Sequence, residues 1–164
     1  MIIFGVVGWK NSGKTYFCEK IISGLVKKKI KVASIKHAHH NFQIDHQGTD
    51  SYLHRQAGSQ QVIISSSKRC VKISEIKDSR EKTLNELINE LDSPDVVIVE
   101  GYKNESHFKI EVIKDANDIS TFMFNKVKNI KAVISDIEIT SFDHVQFKKN
   151  QISEIVNFII SFKK

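Results

Sequence analysis

A glycine-rich segment near the start of the chain has the residue types and spacing to hold phosphate groups. Its sequence, G-W-K-N-S-G-K-T, matches the Walker A pattern G-x-x-x-x-G-K-[ST]. In this pattern the backbone N–H groups surround phosphate oxygens, the lysine reaches the β and γ phosphates, and the hydroxyl binds Mg²⁺. An apolar run precedes the segment and an amphipathic run follows it, as the motif requires. The predicted nucleotide-binding residues are Gly8, Trp9, Lys10, Asn11, Ser12, Gly13, Lys14, Thr15 and Tyr16.

A magnesium-bound triphosphate usually needs a second acid, placed at the end of a neighbouring strand. Glu100 follows four apolar residues, 96–99, and Gly101 behind it permits close backbone approach. The alternative is an ordinary polar residue that ends a strand, and aspartate is commoner at this place. We predict that Thr15 and Glu100 bind the magnesium ion.

The stretch from Lys36 to Gly48 is polar and histidine-rich, with the length and irregularity of a functional loop. Imidazole is a common ligand of zinc and nickel, but the spacing of His37, His39, His40 and His46 matches no recognised zinc pattern. Contact with a nucleotide or partner, metal binding and plain solvation all stay open for these histidines.

Three charged residues in and after this stretch could complete a magnesium or γ-phosphate shell. They are Asp45, Asp50 and Arg55. Asp45 is a further candidate magnesium ligand, and Asp50 and Arg55 are candidates for the γ-phosphate or for a partner. A helix-capping role for Asp50 and a surface ion pair for Arg55 are the alternatives.

The choice of base is less clear from the residues. Many GTP-binding P-loop proteins recognise guanine with N-K-x-D, and the nearest match, residues 125–128, has lysine in place of the aspartate. Asp136, after the apolar run 130–134, could accept hydrogen bonds from guanine N1 and N2, or could be an ordinary strand-end acid. No residue can be assigned as a catalytic base.

The hydrophobic periodicity predicts one α/β domain, residues 1–164, with a doubly wound, mostly parallel sheet and helices on both faces. In such folds ligands bind at the carboxyl ends of the strands. The alternation of Phe108, Ile110 and Val112 with polar residues predicts a strand covered on one face only. The predicted strands are 2–7, 30–35, 61–65, 71–76, 96–99, 108–112 and 130–134, and the predicted helices are 14–28, 49–57, 84–91 and 152–160.

Composition excludes several classes of protein. The chain has 164 residues, 40% of them hydrophobic, and no run of the roughly 18 to 20 apolar residues that a membrane helix needs. The N-terminal apolar run predicts a buried strand and not a secretory signal, so we expect a cytoplasmic protein. The two cysteines, Cys18 and Cys70, lack C-x-x-C spacing, which argues against a disulfide framework and against a cysteine zinc site. The net charge of +6 is spread out, without an aromatic and basic strand motif, which argues against a nucleic-acid module.

Taken together, the segments resemble the MobB family, the GTP-binding adapters of molybdopterin guanine dinucleotide synthesis. The resemblance covers nearly all of the chain. The run K-H-A-H-H-N-F-Q-I-D, residues 36–45, is its most distinctive part, because the family pattern is K-H-x-H-H-x-F-x-I-D. Departures occur at Asn41 and Gln43, where the family often has acids, and after Lys103, where a proline is missing. The other matching segments are 8–15, 48–51, 54–58 and 99–103.

The resemblance implies a homodimer of the class that includes nickel-metallochaperone GTPases, binding GTP with Mg²⁺ and hydrolysing it weakly. Its partners would be the guanylyltransferase that joins GMP to molybdopterin and other molybdenum-cofactor proteins. The chain would not transfer the nucleotide itself, but would deliver GTP or hold the enzymes together. A small-molecule kinase or ligase is the enzymatic alternative, and a nickel-delivery GTPase is another, although the chain has no C-x-x-C or terminal histidine tract.

Overall fold

The computed structural model describes residues 1–38, 42–76, 80–114 and 121–162. The chain forms two compact units: Met1–His37 with Leu84–Lys164, and Ala38–Thr83. The first unit contains β1 (Ile2–Val7), α1 (Lys14–Lys27), β2 (Val32–Lys36), α3 (Leu84–Asn89), β5 (Val96–Glu100), β6 (Phe108–Val112), a 3-10 helix (Met123–Asn125), β7 (Ile130–Ile134), β8 (Val145–Phe147) and α4 (Ile152–Ile160). The second contains α2 (Asp50–Gln56), β3 (Gln61–Ser65) and β4 (Cys70–Ser74).

Six strands of the first unit form one parallel sheet, in the order β2-β5-β1-β6-β7-β8. The central strands β1 and β5 are the continuous apolar runs of the sequence, as expected where both faces of a sheet are covered. All six carboxyl ends lie at one edge, which includes the ends of β1, β2 and β5. The α/β fold class predicted from the sequence is confirmed.

Alternate residues of β5 show how the two faces are covered. Val96 and Ile98 belong to the core cluster that contains α1 and α4, whereas Val97 and Val99 pack with α3 on the opposite face. The same alternation places β1 residues in both layers. Helices therefore lie on both faces, as predicted.

The prediction that β6 is covered on one face only is wrong. Lys109 and Glu111 are fully buried, while Phe108 at the start of the strand is more than a third exposed. The Lys109 ammonium group donates to the backbone carbonyls of Glu105, of His107 at 2.8 Å and of Lys128 at 3.3 Å. A buried charge is tolerated where hydrogen bonds replace the lost water. Alternation alone does not reveal such partners.

Glu111 is also satisfied inside the protein. Its Oε1 accepts the N–H of Met123 at 2.7 Å, and its Oε2 accepts the N–H of Phe124 at 2.9 Å. Burial raises the pKa of the Glu111 carboxyl, and the two backbone bonds oppose that rise. Glu111 thus holds the start of the 3-10 helix, an element that the sequence periodicity did not predict.

The second unit is an antiparallel hairpin with one short helix. β3 pairs with β4 in the register that joins Gln61 to Ser74, and Gly58 follows α2 with a φ of 100°. These elements agree with the predicted helix and strands to within two residues at each boundary. Neither Cys18 nor Cys70 forms a disulfide, and no helix among the described residues is long and apolar enough to cross a membrane.

We expect His107 to make the stability of the protein depend on pH. Neither of its ring nitrogens, both buried, has a hydrogen-bond partner among the described residues. Burial, with the charge of Lys109, lowers the pKa of His107 to about 4. The unfolded chain binds this proton near pH 6.5, so stability rises with pH between about 4 and 6.5 and is lost as pH falls through that window.

We therefore expect His107→Phe to flatten the acid side of the stability profile. Wild type should lose about 1–2 kcal/mol more unfolding free energy than the variant between pH 7 and pH 5. Urea denaturation at both pH values measures this difference. Lys109 and Glu111 are present in both proteins, so their own titration cancels. Parallel profiles for the two proteins would rule out His107 as the cause.

Candidate nucleotide-binding site

The Walker A loop joins the carboxyl end of β1 to the start of α1, and its shape depends on glycine. Gly8 has a φ of 151°, and a Cβ there would lie 2.5 Å from Ser12 Oγ and 2.6 Å from the carbonyl oxygen of Val112. Gly13 has a φ of 97°, and its carbonyl accepts the N–H of Phe17 at 3.1 Å in the first turn of α1. The loop therefore follows a path that residues with a side chain would strain.

Two polar groups inside the loop suit a phosphate. Ser12 is 7% exposed, and its hydroxyl has no hydrogen-bond partner among the described residues. The Lys14 ammonium donates to the carbonyl oxygen of Trp9 at 2.7 Å, so it spans the mouth of the loop. Burial lowers the pKa of Lys14, and the charge of Glu100 opposes the shift. An unpaired donor, a lysine and the N-terminal end of a helix form the donor set that binds phosphate.

Thr15 and Glu100 meet although 85 positions separate them in the sequence. The Thr15 hydroxyl donates to Glu100 Oε1 at 3.0 Å, because Glu100 ends β5 beside β1, where it is paired in register with Val6. A hydroxyl and a carboxylate oxygen are ligands that Mg²⁺ accepts. The two residues predicted as magnesium ligands are therefore in contact, and their chemistry fits that ion.

Lys36 lies against the same carboxylate, and the sequence analysis did not single it out. It ends β2, is paired in register with Glu100 and places its ammonium 3.4 Å from Glu100 Oε1. Only the pairing of β2 with β5 brings the two residues together. The signal that could have found Lys36 is that the carboxyl ends of parallel strands lie at the same edge of a sheet, so that polar residues ending different strands can meet there.

The segment after Glu100 is fitted closely to His37. Gly101 has a φ of 94°, and a Cβ there would lie 2.9 Å from His37 Cβ. The His37 N–H donates to the Glu100 carbonyl at 2.9 Å, and its ring stacks on Tyr102 with centroids 4.6 Å apart. The sequence placed His37 in the functional loop, and the structure places it directly beside Glu100, the predicted magnesium ligand. His39 and His40 lie outside the described residues.

Aromatic side chains flank the loop. Trp9 is half exposed, its indole N–H donates to the carbonyl oxygen of Thr121, and the Lys103 ammonium lies 5.9 Å from its ring centroid. Tyr16 is also half exposed, with the Lys20 ammonium 5.3 Å from its ring. Lys10 and Asn11 are exposed on the loop, and Asn11 has a φ of 62°.

Asp136 is exposed beyond the end of β7 and is paired with Lys149. Its Oδ1 accepts the backbone N–H of Lys149 at 3.1 Å, and its Oδ2 lies 3.1 Å from the Lys149 ammonium. The hydrogen bond to the Lys149 side chain lowers the pKa of Asp136. A guanine base would have to share this carboxylate with Lys149. The role of Asp136 in binding guanine stays a prediction.

The remaining predicted residues belong to the second unit. Arg55 bridges two acids: its Nη1 pairs with Asp45 Oδ1, and its Nε donates to Glu75 Oε1 at 2.7 Å. Asp45 is buried, and its Oδ2 has no partner among the described residues. Asp50 is the exposed first residue of α2, after Thr49. The roles of Asp45 in metal binding and of Asp50 and Arg55 at a phosphate stay predictions.

Comparison with known proteins identifies the family. The family model described as MobB, molybdopterin guanine dinucleotide synthesis protein B, matches residues 3–136. The chain belongs to the MobB family. A molybdopterin-guanine dinucleotide biosynthesis adapter protein of Haemophilus influenzae is 33% identical over 164 residues, which cover 96% of this chain and 86% of that protein. A protein of Escherichia coli K12 with the same description is 29% identical and covers 96% and 91%.

Solved MobB structures have the same fold. The crystal structure of Bacillus subtilis MobB has a TM-score of 0.79 at 23% identity and covers 98% of this chain and 97% of that chain. A crystal structure of molybdopterin-guanine biosynthesis protein B has a TM-score of 0.77 at 24% identity, covering 98% and 99%. The resemblance to the MobB family predicted from the sequence is thus confirmed.

Because Trp9 is the one tryptophan of the chain, its fluorescence reports on the loop. We expect magnesium and GTP to change its emission, since phosphate binding would displace Lys14 from the Trp9 carbonyl. A fluorimetric titration measures this change. Trp9→Phe removes the signal and should retain binding when calorimetry is used instead. Unaltered emission at GTP concentrations that saturate binding in calorimetry would contradict the expected coupling.

Proposed function

We propose that the chain is a magnesium- and GTP-binding adapter in molybdopterin guanine dinucleotide synthesis, which assists the guanylyltransferase and hydrolyses GTP slowly. The observation that carries the nucleotide-binding part is the contact of Thr15 with Glu100 beside a Walker A loop whose Ser12 hydroxyl has no partner among the residues that the structure describes. Membership of the MobB family, with relatives described as adapter proteins, supports the place in this synthesis. A cytoplasmic location is part of the same proposal.

On this proposal each part of the loop has a separate task. The backbone between Gly8 and Gly13 surrounds the phosphates, and the Lys14 ammonium exchanges the Trp9 carbonyl for a phosphate oxygen. Thr15 and Glu100 would hold Mg²⁺, which neutralises charge between the β and γ phosphates when bound. Ser12 would donate its free hydroxyl to a phosphate oxygen.

The composition of the first unit supports the proposal that hydrolysis is slow. Residues 1–37 and 84–164 contain no arginine at all, so this unit has none to stabilise the transferred phosphoryl group. The three arginines of the chain, Arg55, Arg69 and Arg80, belong to the other unit, where Arg55 is held by Asp45 and Glu75. An arginine finger is worth about a thousandfold or more in rate. Single-turnover hydrolysis by the isolated protein should therefore be well below roughly 1 s⁻¹, the lower end for kinases.

The second unit supports the proposal that the protein is a homodimer. Among the described residues, β3 and β4 form a sheet of two strands, so the outer edge of each strand has no partner strand, and such edges favour association. Six of its large apolar side chains are exposed, and such surfaces mark interfaces: Phe42, Ile44, Leu53, Ile63, Ile64 and Ile76. Light scattering should give twice the chain mass for wild type and the single chain mass for Ile63→Asp. The control is Val26→Asp, at an exposed position of α1 in the first unit, and it should also give twice the chain mass. A monomeric wild type would refute the dimer.

Competition between nucleotides tests the proposal and its alternatives. A labelled GTP analogue, bound with Mg²⁺, should be displaced by GTP at lower concentrations than by ATP, and ITP reports the part played by the guanine 2-amino group. Equal displacement by ATP and GTP would remove the guanine assignment. Rapid turnover by the protein alone, or a phosphorylated metabolite among the products, would favour a kinase or ligase instead.

A further inference from the structure

The carboxylate of Glu100 is shared by two groups that would not both remain there once a metal binds. Its Oε1 accepts the Thr15 hydroxyl at 3.0 Å and lies 3.4 Å from the Lys36 ammonium. The Glu100 side chain is 15% exposed, whereas the Lys36 side chain is 62% exposed. Glu100 is thus fixed at the sheet edge, and Lys36 is the partner that is free to move.

The charges around Glu100 Oε1 determine whether the Lys36 ammonium can stay beside it. In the metal-free protein Lys36 neutralises a carboxylate that would otherwise repel a triphosphate. A divalent cation on Glu100 and Thr15 would repel the ammonium at short range, because like charges a few ångströms apart strongly disfavour each other. Lysine carries its charge on a flexible stem, so it can change partners without a change in the backbone.

A nucleotide held by the Walker A loop would offer Lys36 a phosphate as an alternative partner. Lys36 ends β2 at the edge where the Walker A loop lies, since β2, β5 and β1 are neighbours in the sheet. The pKa of Lys14 is lowered mainly by burial, Glu100 and Cys18 oppose this shift, and the charge of Lys36 adds a smaller lowering effect. Two lysines with a mutual repulsion are stabilised by an anion placed between them.

We propose that Lys36 is a second phosphate-binding cation, which occupies Glu100 in the metal-free protein and passes to the terminal phosphate of a nucleoside triphosphate when a divalent cation takes its place. This inference rests on the proposed binding of magnesium and GTP. On this inference Lys36 lets the protein distinguish a nucleoside triphosphate from a diphosphate. Only the triphosphate has the terminal phosphate oxygen that Lys36 would reach after it leaves Glu100.

Calorimetry of GTP and GDP binding tests the inference. With Mg²⁺ present, Lys36→Ala should lose roughly tenfold or more in GTP affinity, the size of a charge-assisted hydrogen bond, and keep its GDP affinity within about twofold. Lys36→Arg should restore most of the loss. Half-saturation of GTP binding by Mg²⁺ should also need less metal in Lys36→Ala, because the ammonium no longer competes for Glu100.

Lys31→Ala is the matched control. Lys31 precedes β2 at the opposite end of the strand, and its ammonium lies 3.5 Å from Asp92 in an exposed pair. This variant makes the same change in charge and should leave both affinities and the magnesium requirement unchanged. Thermal unfolding of all variants checks that they are folded.

The outcomes separate this inference from the proposed function. Wild type that fails to bind GTP with Mg²⁺ overturns both. If wild type binds and Lys14→Ala weakens binding, but Lys36→Ala leaves the ratio of GTP to GDP affinity unchanged, only the inference is overturned. An equal loss of GTP and GDP affinity in Lys36→Ala also overturns the inference. Such a result would mean that Lys36 attracts both nucleotides through its positive charge and does not contact the terminal phosphate.

Discussion

Replacing Lys14 by alanine should weaken GTP binding about ten- to hundredfold, the largest effect expected from any single side chain of the loop. The ammonium spans the loop mouth to the Trp9 carbonyl, and on a bound nucleotide it would form charge-assisted hydrogen bonds worth roughly 1.5 to 3 kcal/mol. The same variant should remain folded, because the side chain belongs to the loop and not to the core clusters. Calorimetry with GTP and Mg²⁺ measures the affinity.

Lys27→Ala serves as the control for the change in charge. Lys27 is exposed at the end of α1, far along the helix from the loop. It should bind GTP as wild type does. Unchanged affinity in Lys14→Ala would show that the Walker A loop does not hold the triphosphate.

The second large effect concerns stability. Glu111→Ala should lower the free energy of unfolding by about 2–4 kcal/mol, because the N–H groups of Met123 and Phe124 would lose their acceptor inside the protein. The 3-10 helix that they begin lies just after Thr121, whose carbonyl accepts the Trp9 indole. The emission of Trp9 should therefore also change in this variant.

Denaturation in urea measures the loss, with Glu138→Ala as the control. Glu138 is exposed and carries the same charge, so its removal should cost little. A Glu111→Ala protein as stable as the control would mean that the two N–H groups find other acceptors, and that Glu111 does not hold the segment.

Long and regular elements were predictable from the sequence. The apolar runs 2–7 and 130–134 form β1 and β7 with the predicted bounds. A buried strand could be predicted there because its continuous apolar run is visible in the local sequence. Three-residue elements carry too few positions for periodicity, which is why β8 and the 3-10 helix were not predicted. Strand β2 begins two residues later than predicted and includes Lys36.

Errors and omissions concern contacts between distant residues. Lys109 and Glu111 have the alternation of an exposed face, yet both are satisfied inside the protein. The Lys109 ammonium binds the distant carbonyl of Lys128 as well as two carbonyls close in sequence, and Glu111 binds the distant N–H groups of the 3-10 helix. The Walker A loop and Glu100 were predictable because their chemistry is local to each segment. Lys36 was missed, because its contact with Glu100 follows from the pairing of β2 with β5, in which the paired residues are 64 positions apart in sequence (100 − 36).

The most direct test of the adapter role is reconstitution with the guanylyltransferase, molybdopterin and Mg²⁺ at limiting GTP. We expect the wild-type chain to raise the yield of the guanine dinucleotide cofactor, and Lys14→Ala to give little increase, because the adapter would act through the GTP that it binds. The yield of cofactor is measured over a series of GTP concentrations, and the advantage of wild type should disappear when GTP is in excess. No increase with the wild-type chain, or an equal increase with Lys14→Ala, would contradict the account.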